Sequence, residues 1–113
     1  MLKIYHNPRC RKSREGLEIL KSSGKDFEIV EYLKEPLSEE KLKEIIEKLK
    51  IAPIELVRKN EKVWKEEYKE KDLSDDELVR ILVNNPRLIE RPIVVTDKEA
   101  VIGRPPERIE KLI

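Results

Sequence analysis

The order of the short apolar runs constrains this chain more than any other feature. Leu2-Lys3-Ile4-Tyr5 alternates like a strand. His6-Asn7-Pro8-Arg9-Cys10 reads as a loop, because Pro8 lacks a backbone N–H and suits neither regular element. From Lys12 to Ser23 the spacing predicts a helix with Leu17, Ile19 and Leu20 inward and Gly24 as its stop. Phe27-Glu28-Ile29-Val30 is the second strand, followed by a turn through Pro36. Near the other end, Ile93-Val94-Val95 and Ala100-Val101-Ile102 read as two strands joined near Asp97-Lys98. Gly103 ends that pair, and Pro105-Pro106 leads into a terminal helix over Glu107 to Leu112.

Between these two groups the period is helical. Ser38 opens the clearest helix, whose Leu42, Ile45, Ile46 and Leu49 fall at i, i+3, i+4 and i+7. A short helix is predicted from Pro53 towards Arg58. Ser74-Asp75-Asp76-Glu77 fits a capping box, with Leu78, Ile81 and Leu82 as the apolar stripe and Asn84-Asn85-Pro86 as the close. The Glu- and Lys-rich stretch 61–72 reads as a solvated face, with Trp64 and Tyr68 as packing residues at i and i+4. The order is β-α-β, several helices, then β-β-α, which predicts one α/β domain.

Charge sets the limits on partners. Lys and Arg number 25 against 24 Asp and Glu, and charged residues make up 43% of 113. That balance argues against a nucleic-acid module, which carries a positive excess. No apolar run approaches the roughly 18–20 residues that span a bilayer, so no membrane role is expected. The start of the chain carries no pattern of a secretory signal, and a cytoplasmic protein is expected.

Against that neutral background one place stands out. Cys10 is the only cysteine, so no internal disulfide and no cysteine-rich metal site can form. A lone cysteine is usually a small buried hydrophobe. This one follows a strand and immediately precedes a helix, where unpaired N–H groups and the helix dipole favour thiolate. Arg9, Arg11, Lys12 and Arg14 crowd around it, with no acid before Glu15. Nearby positive charge lowers a thiol pKa, and a basic loop at a helix start also holds anions. These features point to a reactive thiol acting on an oxyanion or a disulfide. Low-molecular-weight phosphatases and rhodaneses use similar physics, but their loops reach an Arg several residues beyond the Cys.

The segment His6-Asn7-Pro8-Arg9-Cys10-Arg11-Lys12-Ser13-Arg14 resembles the catalytic loop of glutaredoxin-coupled arsenate reductases. Leu56-Val57-Arg58-Lys59-Asn60, Glu90-Arg91-Pro92-Ile93-Val94-Val95 and Gly103-Arg104-Pro105-Pro106-Glu107 match the same family in order. The resemblance covers essentially the whole chain. It implies a thioredoxin-like mixed sheet in a single domain over 1–113, with a helical insertion at about 37–85. It implies Cys10 as nucleophile and Arg58, Arg91 and Arg104 as ligands of the oxyanion. By composition alone those three would be ordinary surface cations. His6, Asn7, Ser13 and Arg14 match positions that shape the loop, and Pro92 matches the cis-proline of thioredoxin-like folds.

The resemblance further implies arsenate or a similar oxyanion as substrate, glutathione as co-substrate and glutaredoxin as partner. No bound metal or organic cofactor is expected, and a monomer is. Three other readings compete. One is a related thiol reductase of unknown substrate. Another is a regulator resembling the Spx proteins, which bind RNA polymerase; redox-sensing members carry Cys-x-x-Cys, where this chain has Ser13. The third is phosphatase-like activity, disfavoured by the loop length. Arg11 departs from the family pattern, since better-known members carry a small residue there.

Overall fold

Alternating runs become strands where one side can be buried, and the N-terminal run does so from its first described residue. A computed structural model describes residues 2–113. Strand β1 is Leu2–Tyr5, helix α1 is Arg11–Ser22 and strand β2 is Phe27–Val30. The later strands are β3, Ile93–Val95, and β4, Ala100–Ile102. They form one four-stranded mixed sheet in the order β2-β1-β3-β4. β1 runs parallel to β2, with Leu2 opposite Phe27 and Ile4 opposite Ile29. The α1 crossover makes this parallel pairing possible, because a tight turn cannot return a chain in the same direction. β3 is antiparallel to both β1 and β4, with Ile4 opposite Val94 and Val94 opposite Val101.

One face of this sheet carries a core. Leu2 and Ile4 from β1, Val94 from β3, Leu20 from α1 and Ile109 cluster together, with Leu17, Ile19, Phe27 and Val101 partly buried against them. Burial of a Leu or Ile side chain stabilises by about 1.5–3 kcal/mol. The α1 surface turned inward is therefore Ser13, Gly16 and Leu20, with Leu17 and Ile19 at its margin. Pro106–Leu112 is a 3₁₀ helix rather than the α-helix predicted over 107–112. The chain turns between β3 and β4 around Thr96, whose Oγ1 accepts the N–H groups of Lys98 and Glu99.

The described chain divides into two compact units: residues up to Glu35 with Arg91–Ile113, and Pro36–Glu90. The second unit is helical. Helix α2, Glu39–Leu49, is capped by Ser38, whose hydroxyl accepts the Lys41 N–H, and it buries Leu42, Ile45 and Ile46. A 3₁₀ turn covers Pro53–Leu56. Helix α3, Lys62–Glu67, lies inside the stretch read as a solvated face, and Trp64 is what folds it inward. Its ring is buried and packs on Tyr68 with 5.8 Å between centroids. Helix α4, Asp75–Asn84, starts with the Ser74–Glu77 capping box; Leu78, Val79 and Leu82 are buried, so Val79 takes the inward place predicted for Ile81. After a 3₁₀ turn at Pro86–Leu88, an isolated antiparallel bridge joins Val57 to Ile89. Among the described residues no helix is long and apolar enough to cross a membrane.

Candidate active site

The chain between β1 and α1 is held by its own short polar side chains. Asn7 ties the loop three ways. Its Oδ1 accepts the Arg9 N–H at 3.0 Å, its carbonyl accepts the Cys10 N–H at 3.0 Å, and its own N–H donates to Ser13 Oγ at 3.0 Å. Arg14 closes the loop from the helix side, donating from Nη1 to the Pro8 carbonyl at 2.9 Å. Ser13 is fully buried and its hydroxyl also meets His6 Nδ1 at 2.6 Å. Since Ser13 Oγ already accepts from Asn7, its single proton is free to go to an unprotonated Nδ1, which suits neutral His6. Burial lowers the His6 pKa; Glu31 opposes this, Arg14 and Lys21 reinforce it, and the balance stays below the usual value.

Cys10 takes the N-cap position of α1, with φ −96° and ψ 122°. Its sulfur is buried, and burial alone would push the thiol up. The N–H of Ser13, the charge and hydrogen bond of Arg91, and the N–H of Lys12 outweigh that and hold the thiol below its ordinary value. Arg91 Nε donates directly to Cys10 Sγ at 3.0 Å. The guanidinium is itself buried, at 9% exposure.

Arg11 and Lys12, which follow Cys10 in sequence, are directed elsewhere. Arg11 Nε pairs with Glu15 at 3.3 Å and Lys12 Nζ pairs with the same carboxylate at 3.7 Å. Arg11 is 85% exposed, so the departure from the family pattern places a solvated cation at the start of α1. The cation that contacts the thiol comes from 81 residues away.

Of the other residues singled out from sequence, Arg104 follows β4 and keeps its Nε buried without a hydrogen-bond partner among the described residues. Pro92 begins the entry to β3, and the Arg91–Pro92 bond is cis. A second cis bond, Arg104–Pro105, has no counterpart in the sequence reading. Arg58 lies in the helical unit beside the Val57–Ile89 bridge. Its Nη1 donates to the Arg87 carbonyl at 3.1 Å, Nη2 pairs with Glu61 at 3.3 Å and Nε pairs with Glu90 at 3.9 Å. No group of three or more His, Cys, Asp or Glu among the described residues is placed to hold a metal ion.

The N–H groups that the sequence placed around a thiol at a helix start are those of Ser13 and Lys12. Sequence reasoning missed one contributor, Gly16. Gly16 sits on the buried face of α1, and a glycine interrupting a helical pattern was the available clue.

The chain as a whole has relatives among known proteins. The family model of the ArsC family matches residues 5–112. A protein of Escherichia coli strain K12 called uncharacterized protein YfgD is 43% identical, covering 99% of this chain and 96% of its own length. A protein of Neisseria meningitidis serogroup B named arsenate reductase is 40% identical, covering 99% and 97%. The solved structure of arsenate reductase from Vibrio cholerae superposes with a TM-score of 0.94 at 38% identity, covering 99% of this chain and 97% of that one.

Proposed function

The chain belongs to the ArsC family, and from that premise we propose that it reduces arsenate or a similar oxyanion with its Cys10 thiolate. The observation that carries this reading is the 3.0 Å contact from Arg91 Nε to Cys10 Sγ. It supplies both parts of the chemistry. A thiolate is the nucleophilic form of cysteine, and a fixed guanidinium suits the oxygens of a tetrahedral anion.

In this reading Cys10 sulfur attacks the central atom of arsenate, forming a sulfur–arsenic bond while one oxygen leaves as water after protonation. Arg58, Arg91 and Arg104 neutralise the remaining oxygens. The buried, unpartnered Nε of Arg104 supports its share, because a buried N–H without an acceptor is costly and an anion would satisfy it. Fixed cations aimed at developing charge are the largest contribution to this kind of catalysis. Arg58 is assigned by its motif, and its two carboxylate partners must yield an edge to the substrate.

The chain has no second cysteine, so the adduct is resolved from outside. Glutathione is the co-substrate and glutaredoxin the partner that supplies the second thiol. Overall, arsenate and two thiols give arsenite, one disulfide and water, which balances the two electrons. No metal or organic cofactor takes part. The working unit is a monomer in the cytoplasm, where thiols stay reduced. Residues 1–113 act as a single arsenate-reductase-type domain with a helical insertion at about 37–85.

The test is arsenate turnover with glutathione and glutaredoxin, comparing the natural chain with Cys10→Ser. Turnover that depends on Cys10 upholds the reading. Equal turnover in the variant removes Cys10 as nucleophile. An inactive natural chain with a reactive thiol points to a related reductase of another substrate.

A further inference from the structure

Three segments of the sheet unit carry the proposed chemistry: α1 carries Cys10 at its start, Arg91 precedes β3, and Arg104 follows β4. All three run into one tight packing junction around the Pro92 ring and the Ile109 side chain. Gly16 belongs to α1. A Cβ there would lie 2.9 Å from Ile109 Cδ1 and 2.9 Å from Pro92 Cγ. Gly103 adjoins Arg104, and a Cβ there would lie 2.8 Å from Ile109 Cδ1 and 3.0 Å from Pro92 Cγ. Carbon atoms make favourable contact at about 3.5–4.0 Å, so neither position has room for a methyl group.

Pro92 and Ile109 are therefore seated between two backbones, and that seat exists only because both positions are glycine. A hydrogen bond adds to it, from the Gly103 N–H to the Pro92 carbonyl at 2.8 Å. Ile109 is fully buried and cannot swing out to water. Gly16 also has a local disadvantage, since glycine inside a helix is less stable than alanine. The close approach is the compensating reason for it.

We propose that Gly16, Gly103 and Ile109 are positioning residues, whose packing on Pro92 sets where Arg91 holds its guanidinium against the Cys10 sulfur. A methyl group at 16 pushes on the Pro92 ring, and the residue bonded to that ring is Arg91. The consequence is a longer Arg91–Cys10 contact. This deepens the reading of Cys10 as a thiolate nucleophile and rests on it.

The experiment follows Cys10 alkylation by iodoacetamide across pH in the natural chain, Gly16→Ala and Gly103→Ala, with urea unfolding alongside. Both alanine variants are expected to shift the titration upward and slow alkylation at pH 7 by about three- to tenfold. Ile109→Val then separates packing from position. It removes Cδ1, which a methyl group at either position would meet at 2.8–2.9 Å, so it moves both alanine profiles part of the way back. The Pro92 Cγ contacts at 2.9 Å from position 16 and 3.0 Å from position 103 remain, and keep both profiles above the natural one. If an alanine variant fails to fold, Ile109→Val alone is decisive: it loosens the seat and slows alkylation at pH 7 by about twofold, and an unchanged profile counts against the proposal. Folded alanine variants that lose stability yet keep the natural alkylation profile overturn it, leaving the glycines as packing residues only. If the natural chain itself titrates as an ordinary thiol, it is the underlying reading of the site that fails.

Discussion

Arg91 and Cys10 are separated by 81 positions in sequence and by 3.0 Å in space, Nε to Sγ. A buried guanidinium and a buried sulfur in direct contact each lower the cost of charging the other. The pair ties the entry to β3 to the N-cap of α1 through side chains, alongside the β1–β3 ladder.

Removing this partner should return the thiol towards its ordinary range near 8.5. In Arg91→Ala the burial of Cys10 remains while the opposing charge is lost. Alkylation at pH 7 is expected to slow by about tenfold or more, one pKa unit being a factor of ten. Arg91→Lys, which keeps a charge but lacks the Nε–H, should fall between. An Arg91→Ala profile matching the natural one would show that the Ser13 and Lys12 amides suffice.

The buried His6 gives stability a pH dependence of known sign. Its folded pKa is lowered, chiefly by burial, whereas the unfolded chain takes up the proton near 6.5. Below that pH the unfolded state binds more protons, so stability falls as pH drops from about 6.5 through the folded value. Urea midpoints measured between pH 7.5 and 5 should decline, and His6→Gln should flatten that part of the curve. Equal slopes in both proteins would assign the decline to other groups.

Arg58 is held by anions of the chain's own making. Glu61 lies 3.3 Å from Nη2 and Glu90 lies 3.9 Å from Nε. If Arg58 binds the substrate as proposed, these carboxylates compete with the oxyanion for the same donors. Partly exposed ion pairs are worth about 0–1 kcal/mol, so Glu61→Gln should lower the KM for arsenate by up to about fivefold. Arg58→Ala should raise it. A KM unmoved by either change would place Arg58 outside substrate binding.

In the helical unit, Ser74 and Glu77 form a reciprocal cap, with Oγ accepting the Glu77 N–H and Oε1 accepting the Ser74 N–H. Ser74→Ala should cost about 1 kcal/mol, read as a lower urea midpoint. The Glu77 pKa is lowered by those bonds to Ser74, so its contribution is present above about pH 4.3 and fades as pH falls through the folded value. Acid unfolding of Glu77→Gln should lose that component. An unchanged acid limb would mean that the cap frays in solution.

Much of this architecture was legible because its causes are local. Leu2 and Ile4 alternate, Leu42, Ile45 and Ile46 repeat at helical spacing, and Ser74 to Glu77 spells a cap; each pattern became the element it predicts. The misses share a different cause. Trp64 and Tyr68 pack on each other as their i and i+4 spacing predicts, but the charged residues around them hid helix α3. Val79 is more deeply buried than Ile81 because the inward face of α4 is set by its neighbours rather than by its own stripe. At the site, the sequence drew attention to the cations beside Cys10, yet Glu15 holds two of them and Arg14 turns to Pro8. Proximity along the chain was a poor guide to which charge meets the sulfur.

The sheet order β2-β1-β3-β4 has a consequence for the making of this protein. β1 is synthesised before β3, yet the edge of β1 that pairs with β3 stays open until residues 93–95 have been added. The whole helical unit, Pro36–Glu90, is synthesised before Arg91 exists. A nascent chain of 90 residues therefore carries Cys10 without its guanidinium, and its sulfur should behave as an ordinary thiol. The contact to sulfur forms only after Arg91 has been added. The lone cysteine is thereby a built-in reporter of completed assembly, and a pulse of alkylating reagent during refolding would time the arrival of β3.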